Sequence, residues 1–376
     1  MLLKSYKIKR LNDAAASFTH LSFIATSGTA RNKQETRGEN MLKTCVIGLG
    51  HIGNIHSRIY SEYEGSKLLA VCDILHHRAE AAGKRFNVPY YLDAAEMLKD
   101  MKPDIVSVTT GGYEYSSDHC HPTVQSLNAG CHVLCEKPIS NDLAHAQSMV
   151  DLGKKLGLCF GINLNHRFTP AGRQAKKWQE DGRIGDLLFA NMALWIGRFK
   201  DEDSEYYHLK ALNPHSMDIL RYFCGDVKEV QCYAMKAPGR SMWSTASVNM
   251  KFANGAVGHL TSSYDIERGH PMERCEVAGT KGRFVWEDMW REATLFERDN
   301  PVRESYVNPV FGGFESFYDT FKDRVIAFVD QVALGVKPED IDGSGVQGLE
   351  ATRVIHAAIK SLKEDNRPVR VAEVTE

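Results

Sequence analysis

At 376 residues the chain exceeds the size at which one hydrophobic core usually stops growing, so two domains are expected. A formal net charge of -2, with 43% hydrophobic and 25% charged residues, gives no electrostatic pull toward nucleic acid or an anionic membrane. No apolar run approaches the roughly 18 to 20 residues needed to span a bilayer, and the composition predicts a soluble, cytoplasmic protein. The nine cysteines are scattered; three residues separate Cys131 from Cys135 and there is no C-x-x-C pair. Disulfide frameworks and structural zinc sites need paired spacing, so the thiols read as reduced and mostly buried, and no metal site is expected.

Residues 1–40 carry seven basic side chains (Lys4, Lys7, Lys9, Arg10, Arg31, Lys33, Arg37) without a sustained period or an apolar core. They read as a poorly ordered, dispensable extension rather than a targeting signal. From Met41 an apolar strand runs into Gly48-Leu-Gly50-His51-Ile52-Gly53 and then a helical stretch. G-x-G-x-x-G is weak by itself, but a strand before it and a helix after it make a dinucleotide-binding unit. Gly48 permits the tight turn, Gly50 lets the backbone approach a pyrophosphate, and Gly53 allows close helix–strand packing. His51 and Ile52 open a helix whose free N–H groups face the phosphates.

The next strand, Lys67–Asp73, ends in an acid about twenty residues after Gly53, placed to accept from the adenosine ribose and to repel a 2'-phosphate. NAD is therefore expected over NADP, although Arg78 is within reach of the same turn. Two more strands follow, Asp104–Thr110 and Cys131–Cys135, with a helix from Asp118 to a Gly130 stop between them. The second strand runs into Glu136-Lys137-Pro138. Alternating strands and helices predict a parallel, doubly wound sheet over 41–161. Thr110, at the carboxyl end of its strand, is a candidate cofactor contact.

From residue 162 the pattern changes, and 162–376 reads as a substrate-binding and oligomerisation domain. A helix is expected over 169–181, then strand-like segments over 186–197, 227–236, 243–252, 255–263 and 273–296, with Asn254-Gly255 as a hairpin turn. Without helical crossovers among the later strands, the sheet should be large, open and mostly antiparallel. Apolar residues on both alternations (Leu194, Trp195, Ile196) suggest burial on both faces, with a second subunit as cover, in a homodimer or homotetramer. A helix over 213–223 carries His215, a loop is expected over 300–313, and helices near 314–334 and 345–364 close the chain. The fold expected is an α/β Rossmann domain plus an α+β C-terminal domain.

Several of these segments carry a specific resemblance. The stretch AGCHVLCEKPIS, Asn165-His-Arg167-Phe-Thr-Pro170, Gly182-Arg-Ile-Gly185, His215-Ser-Met-Asp218 and Gly279-Thr-Lys-Gly282 resemble the glucose–fructose oxidoreductase, inositol dehydrogenase and MocA-like family over about residues 41–370. The resemblance implies an NAD(P)-dependent oxidoreductase acting on a secondary alcohol of a sugar, cyclitol or related molecule. It makes Lys137 the active-site lysine, sets Glu136 beside the cofactor with a cis peptide before Pro138, and places His119 near the nicotinamide. It makes His215 the catalytic histidine, and Asn165, Arg167 and Asp218 fall in the substrate-binding motifs. One position departs: where the inositol dehydrogenase branch has an Asp four residues before that histidine, this chain has Ala211, leaving His208 or Asn213 as replacements.

Chemistry supports the same residues. Oxidising a secondary alcohol removes a hydride from carbon and a proton from oxygen. A lysine near that oxygen stabilises the alkoxide or takes the proton, and a histidine titrating near neutrality is a natural acceptor. Tyr206, Tyr207 and His208 either stack on a sugar ring or are core residues. The function expected is NAD(H)-dependent oxidation or reduction at a ring hydroxyl or ketone of a sugar, glycoside or cyclitol. Two rivals stand beside it: redox-neutral cleavage or isomerisation of a glycoside through transient oxidation, and a non-catalytic dinucleotide sensor, which would not need Lys137.

Overall fold

The computed structural model describes residues 41–112, 118–197, 204–267 and 272–374. The expected extension over 1–40 lies outside the described residues.

Six short strands form the first sheet: β1 (Leu42–Ile47), β2 (Ser66–Cys72), β3 (Tyr90–Tyr91), β4 (Ile105–Val108), β5 (His132–Cys135) and β6 (Phe160–Ile162). All pair in parallel in the order β3-β2-β1-β4-β5-β6. Helices α1 (His51–Glu62), α2 (His76–Phe86), α3 (Ala94–Met101), α4 (Cys120–Asn128) and α5 (Leu143–Leu156) make the crossovers. Strands buried on both faces need continuous apolar runs, and every residue of β4 is buried. Local signals set the helix ends: Asp93 accepts from the Glu96 N–H and Asp142 from the His145 N–H, while Gly157 closes α5 with φ of 66°. The order reverses between β1 and β4, which opens a crevice at the carboxyl edge.

The chain then forms α6 (Pro170–Glu180), β7 (Leu187–Trp195), α7 (Tyr207–Ala211), α8 (Asn213–Cys224), β8 (Val227–Met235), β9 (Thr245–Phe252), β10 (Val257–Ser263), β11 (Glu273–Gly279), β12 (Gly282–Glu287), β13 (Glu292–Glu297) and β14 (Arg303–Val307). Helices α9 (Phe317–Ala333) and α10 (Gly345–Lys363) and the short β15 (Val369–Arg370) complete it. The second sheet runs β14-β13-β12-β11-β7-β10-β9-β8-β15 and is mostly antiparallel, as expected. The Asn254-Gly255 hairpin forms, with Gly255 at φ of 92°.

Three details differ from the sequence expectation. β7 pairs with β10 in parallel, because the chain leaves β7 through α7, α8 and the β8–β9 pair before returning beside it. The single segment expected over 273–296 is broken into β11, β12 and β13 by a tight turn at Thr280–Lys281 and by a second turn in which Asp288 and Met289 take positive φ. Within the expected loop, residues 303–307 form the edge strand β14, whose alternating half-exposure gave only a faint apolar period.

Along β7, Ala190, Met192 and Leu194 are buried beneath α8, whereas Trp195 and Ile196 are only half-buried. The outer face therefore shows ordinary one-sided alternation, with Asn191, Asn249, His259 and Thr261 among its residues. The two-sided burial read from residues 194–196 is not present within the chain.

Helix α9 follows the second sheet in sequence but packs on the first domain, where Phe321, Val325, Phe328 and Val329 join Val46, Ile59 and Val71 in one core. Its Arg324 is fully buried, donating from Nε to the Ile162 carbonyl at 3.0 Å and from Nη2 to that of Gly343 at 3.1 Å. All nine cysteines are free, and eight are buried. Burial pushes the Cys45 thiol up to about 12, so such a thiol is an inert packing group. Among the described residues, no helix is long and apolar enough to cross a membrane.

Candidate active site

The glycine turn fits a dinucleotide by what each position would meet. Gly48 has φ of 93°, and a Cβ there would lie 2.6 Å from the Thr110 nitrogen. A Cβ at Gly53 would lie 1.8 Å from the Gly48 carbonyl oxygen, so only glycine lets α1 close on the turn. Gly50 faces open space, with nothing within 4 Å of its Cβ position, which is the clearance a phosphate approaching the backbone requires. His51 is exposed and Ile52 half-buried in the first turn of α1, whose opening N–H groups have no intrahelical acceptor.

Asp73 directly follows β2 with its carboxylate nearly buried, accepting from the Leu49 N–H at 2.7 Å and the Leu75 N–H at 2.8 Å. It therefore joins the glycine turn to the start of the next helix. A carboxylate has about four lone-pair positions, so two remain for the hydroxyls of a ribose. Arg78 is exposed on the first turn of α2. We expect NADH to bind at least about tenfold more tightly than NADPH, about 1.4 kcal/mol, and Asp73→Asn to narrow that gap. Fluorescence titration with both cofactors checks this; equal affinities in the parent protein would remove the ribose role from Asp73.

The carboxyl ends of β5 and β6 build the deeper part. Glu136 follows β5 and is almost fully buried, with Oε1 accepting from Asn163 at the end of β6 and lying 3.3 Å from Nε2 of His56 on α1. His56 Nδ1 contacts the Ser107 hydroxyl at 2.9 Å, and Ser107 in turn meets the Tyr60 hydroxyl at 2.7 Å. Burial pushes the Glu136 carboxyl up, but His56, Lys137 and Asn163 outweigh it and hold it below its usual range. Glu136 is thus a fixed anion under the crevice. The Lys137–Pro138 bond is cis, as the resemblance implied.

Lys137 reaches across the domain junction and donates from Nζ to the Ala211 carbonyl at 3.2 Å. Position 211, where the resemblance led us to expect an acid, thus contributes a backbone oxygen. Both suggested replacements are fully buried. His208 is fully buried edge-on to Tyr264 at 5.0 Å, and burial drives its pKa down to about 3. Asn213 is also fully buried, in the first turn of α8. Tyr207 belongs to the same small core as Tyr264, so the core reading of Tyr207 and His208 is the one the structure favours.

His215 lies on the buried face of α8, with Lys137 within electrostatic reach. Its ring stacks on His166, the centroids 4.0 Å apart and the planes within 2°. His166 Nδ1 lies 3.1 Å from Oε1 of the buried Glu273 on β11. Burial, then His166 and Lys137, hold the His215 imidazole well below its ordinary pKa.

The other residues singled out from the sequence are brought close but engage one another. Arg167 and Asp218 form a buried bidentate pair, with Nε donating to Asp218 at 2.9 Å. Nη1 of Arg167 reaches Asp342 at 2.8 Å and Gln347 at 2.9 Å. Asn165 donates to the Thr320 hydroxyl at 2.7 Å and anchors α9. His119 is buried, with Nδ1 2.7 Å from the Pro138 carbonyl and Nε2 3.0 Å from that of Thr110. Its ring braces the two turns that border the crevice. Thr110 itself is half-buried, its hydroxyl 3.4 Å from the Asp118 carbonyl.

Sequence reasoning missed His56, Asn163, His166 and Glu273. Asn163 had a usable signal, since it follows a parallel strand at the ligand-binding edge. His56 shares the buried face of α1 with Gly53 and Tyr60, a spacing that reads as core. His166 sits in a short 3-10 turn, Asn165–Phe168, which has no period to show its direction.

Residues 42–164 match the family model described as an oxidoreductase family with an NAD-binding Rossmann fold, and residues 173–285 match the GFO/IDH/MocA C-terminal domain. The chain is 28% identical to myo-inositol 2-dehydrogenase of Thermotoga maritima over 346 residues, covering 88% of this chain and 98% of that protein. It is 26% identical over 260 residues to scyllo-inositol 2-dehydrogenase (NAD(+)) of Bacillus subtilis, covering 65% and 73% of the two. In structure it superposes on levoglucosan dehydrogenase in complex with NADH and levoglucosan with a TM-score of 0.77 at 20% identity, covering 88% of this chain and 99% of that one. With both family models matching in order on a fold that supplies the glycine turn, Asp73 and the Glu136–Pro138 step, the chain belongs to the GFO/IDH/MocA family of NAD-binding oxidoreductases.

Proposed function

We propose that the protein transfers a hydride between NAD(H) and a ring secondary hydroxyl or ketone of a sugar, glycoside or cyclitol, with His215 and Lys137 handling the proton and the charge on oxygen. The observation that carries this reading is the meeting of Lys137, at the carboxyl edge of the parallel sheet, with α7 and α8, which present Ala211 and His215. The names of the relatives, inositol dehydrogenases among them, support this substrate class. When bound, NAD supplies the two-electron acceptor for the hydride leaving carbon.

In the oxidising direction, His215 accepts the hydroxyl proton as the C–H bond breaks. Lys137, held by the Ala211 carbonyl, places its ammonium against the developing alkoxide, where a positioned charge stabilises the negative oxygen. Glu136 stays ionised behind it and holds the Lys137 N–H through Oε2 at 3.3 Å.

The pH dependence follows from His215. Its pKa lies below the ordinary 6.5, so the neutral, proton-accepting form is fully present above pH 6.5 and is lost as pH falls through the depressed value. Alcohol oxidation should therefore show an acidic limb below pH 6.5. His215→Ala should abolish that limb and lower turnover by about 100- to 10,000-fold. A panel of sugars, glycosides and cyclitols, followed by NADH absorbance together with product analysis, tests the whole reading. Product formed without net NADH would replace simple dehydrogenation, and full turnover in His215→Ala would remove the histidine from it.

A further inference from the structure

The stack beneath His215 is unusual in what supports it. Glu273 and His166 are both almost fully buried, and they come from different elements, β11 and the turn between β6 and α6. Packing alone needs neither a carboxylate nor an imidazole there; a leucine and a phenylalanine would fill the space without desolvating polar groups. The carboxylate determines which His166 nitrogen carries a proton, because Nδ1 donates to Oε1 at 3.1 Å. That bond sets the plane of the His166 ring. Phe317, at the start of α9, meets the same ring edge-on at 6.4 Å and limits its tilt.

His215 lies flat on the ring so fixed, and among the described residues its Nδ1 has no hydrogen-bond partner to orient it. Asp218, one turn further along α8 and the obvious candidate for that task, is held by Arg167 instead. The groups facing His215 are therefore Lys137 from the turn after β5, and His166 with Glu273 behind it.

We propose that His166, anchored by Glu273, is a positioning residue for His215: it fixes the plane of the catalytic imidazole so that its accepting nitrogen meets the reacting hydroxyl. The inference rests on the reading of His215 as the proton acceptor. Misplacement of a reacting group by about 1 Å costs on the order of 100-fold in rate. A ring that loses its stacking partner should therefore lower kcat far more than it changes KM.

The test compares His166→Ala with His166→Phe, and Glu273→Leu with Glu273→Gln, using any substrate the panel identifies. His166→Ala is expected to lower kcat by about 10- to 100-fold with KM within about threefold, and His166→Phe to recover much of it by restoring the flat face. Glu273→Gln keeps an acceptor for Nδ1 and should stay within about threefold of the parent, whereas Glu273→Leu should fall by about tenfold. Thermal melts and NADH titration establish that each variant is folded, and the glutamate pair decides the matter if the histidine variants do not fold. Parent-like kcat in His166→Ala or in Glu273→Leu overturns the proposal, as does a phenylalanine variant no better than the alanine one. His215→Ala separates the two layers: if it remains active, the proton-acceptor assignment fails; if it is inactive while His166→Ala is not, only the positioning role fails.

Discussion

Lys137→Met is expected to lower turnover by about 100- to 10,000-fold, the range for losing a charge-stabilising or proton-transferring group in a water-poor site. Methionine preserves most of the side-chain volume and removes only the ammonium. NADH affinity should change little, because the glycine turn and Asp73, proposed here to hold the adenosine end, lie at the ends of β1 and β2, whereas Lys137 follows β5 and contacts Ala211. The measurement is steady-state kinetics with NADH titration of the same preparation. A variant that binds NADH normally and keeps parent turnover would leave proton transfer to His215 alone. If both Lys137→Met and His215→Ala retained the activity, the dehydrogenase reading of this crevice would have to be abandoned.

Arg167→Met should destabilise the protein by about 3 to 5 kcal/mol, since it leaves the Asp218 carboxylate, only 1% exposed, without its cation. Burial works against the Arg167 charge, and Asp218 and Asp342 more than offset it, so the guanidinium is firmly held in its charged form. The double variant Arg167→Met/Asp218→Leu should recover the part of the loss that comes from Asp218, because an apolar pair leaves no unpaired charge at that position, while the partly exposed Asp342 still loses its partner. Denaturant midpoints of the three proteins give the comparison. A rise in substrate KM with no loss of stability would instead assign Arg167 the substrate contact that its motif suggested.

These two residues show where reading the chain was sufficient and where it was not. The glycine turn, Asp73 and the Glu136–Pro138 step are local: each depends on a strand end, a turn and a helix start, all encoded within a few adjacent residues. Their geometry in the structure, from the positive φ of Gly48 to the open space at Gly50, is the one that such turns require. Lys137 and His215 were singled out through motifs that resemble the family's, and although 78 positions separate them the fold brings them within electrostatic reach of each other.

What only tertiary structure decided was the direction and partner of each buried polar side chain. Arg167 and Asn165 belong to one motif that resembles a substrate-binding stretch, yet Arg167 pairs with Asp218 on α8 and Asn165 with Thr320 on α9. In the same turn His166, which no periodicity marked, faces Glu273 and His215. Likewise the parallel pairing of β7 with β10 follows from a long excursion through two helices and a hairpin, whereas strand signals extend only to adjacent turns. Sequence determined most of the elements, the glycine turn and the chemical types available. Folding decided which of those groups satisfy one another, because a buried charge or amide is stable only beside a partner, and the partners here come from distant parts of the chain.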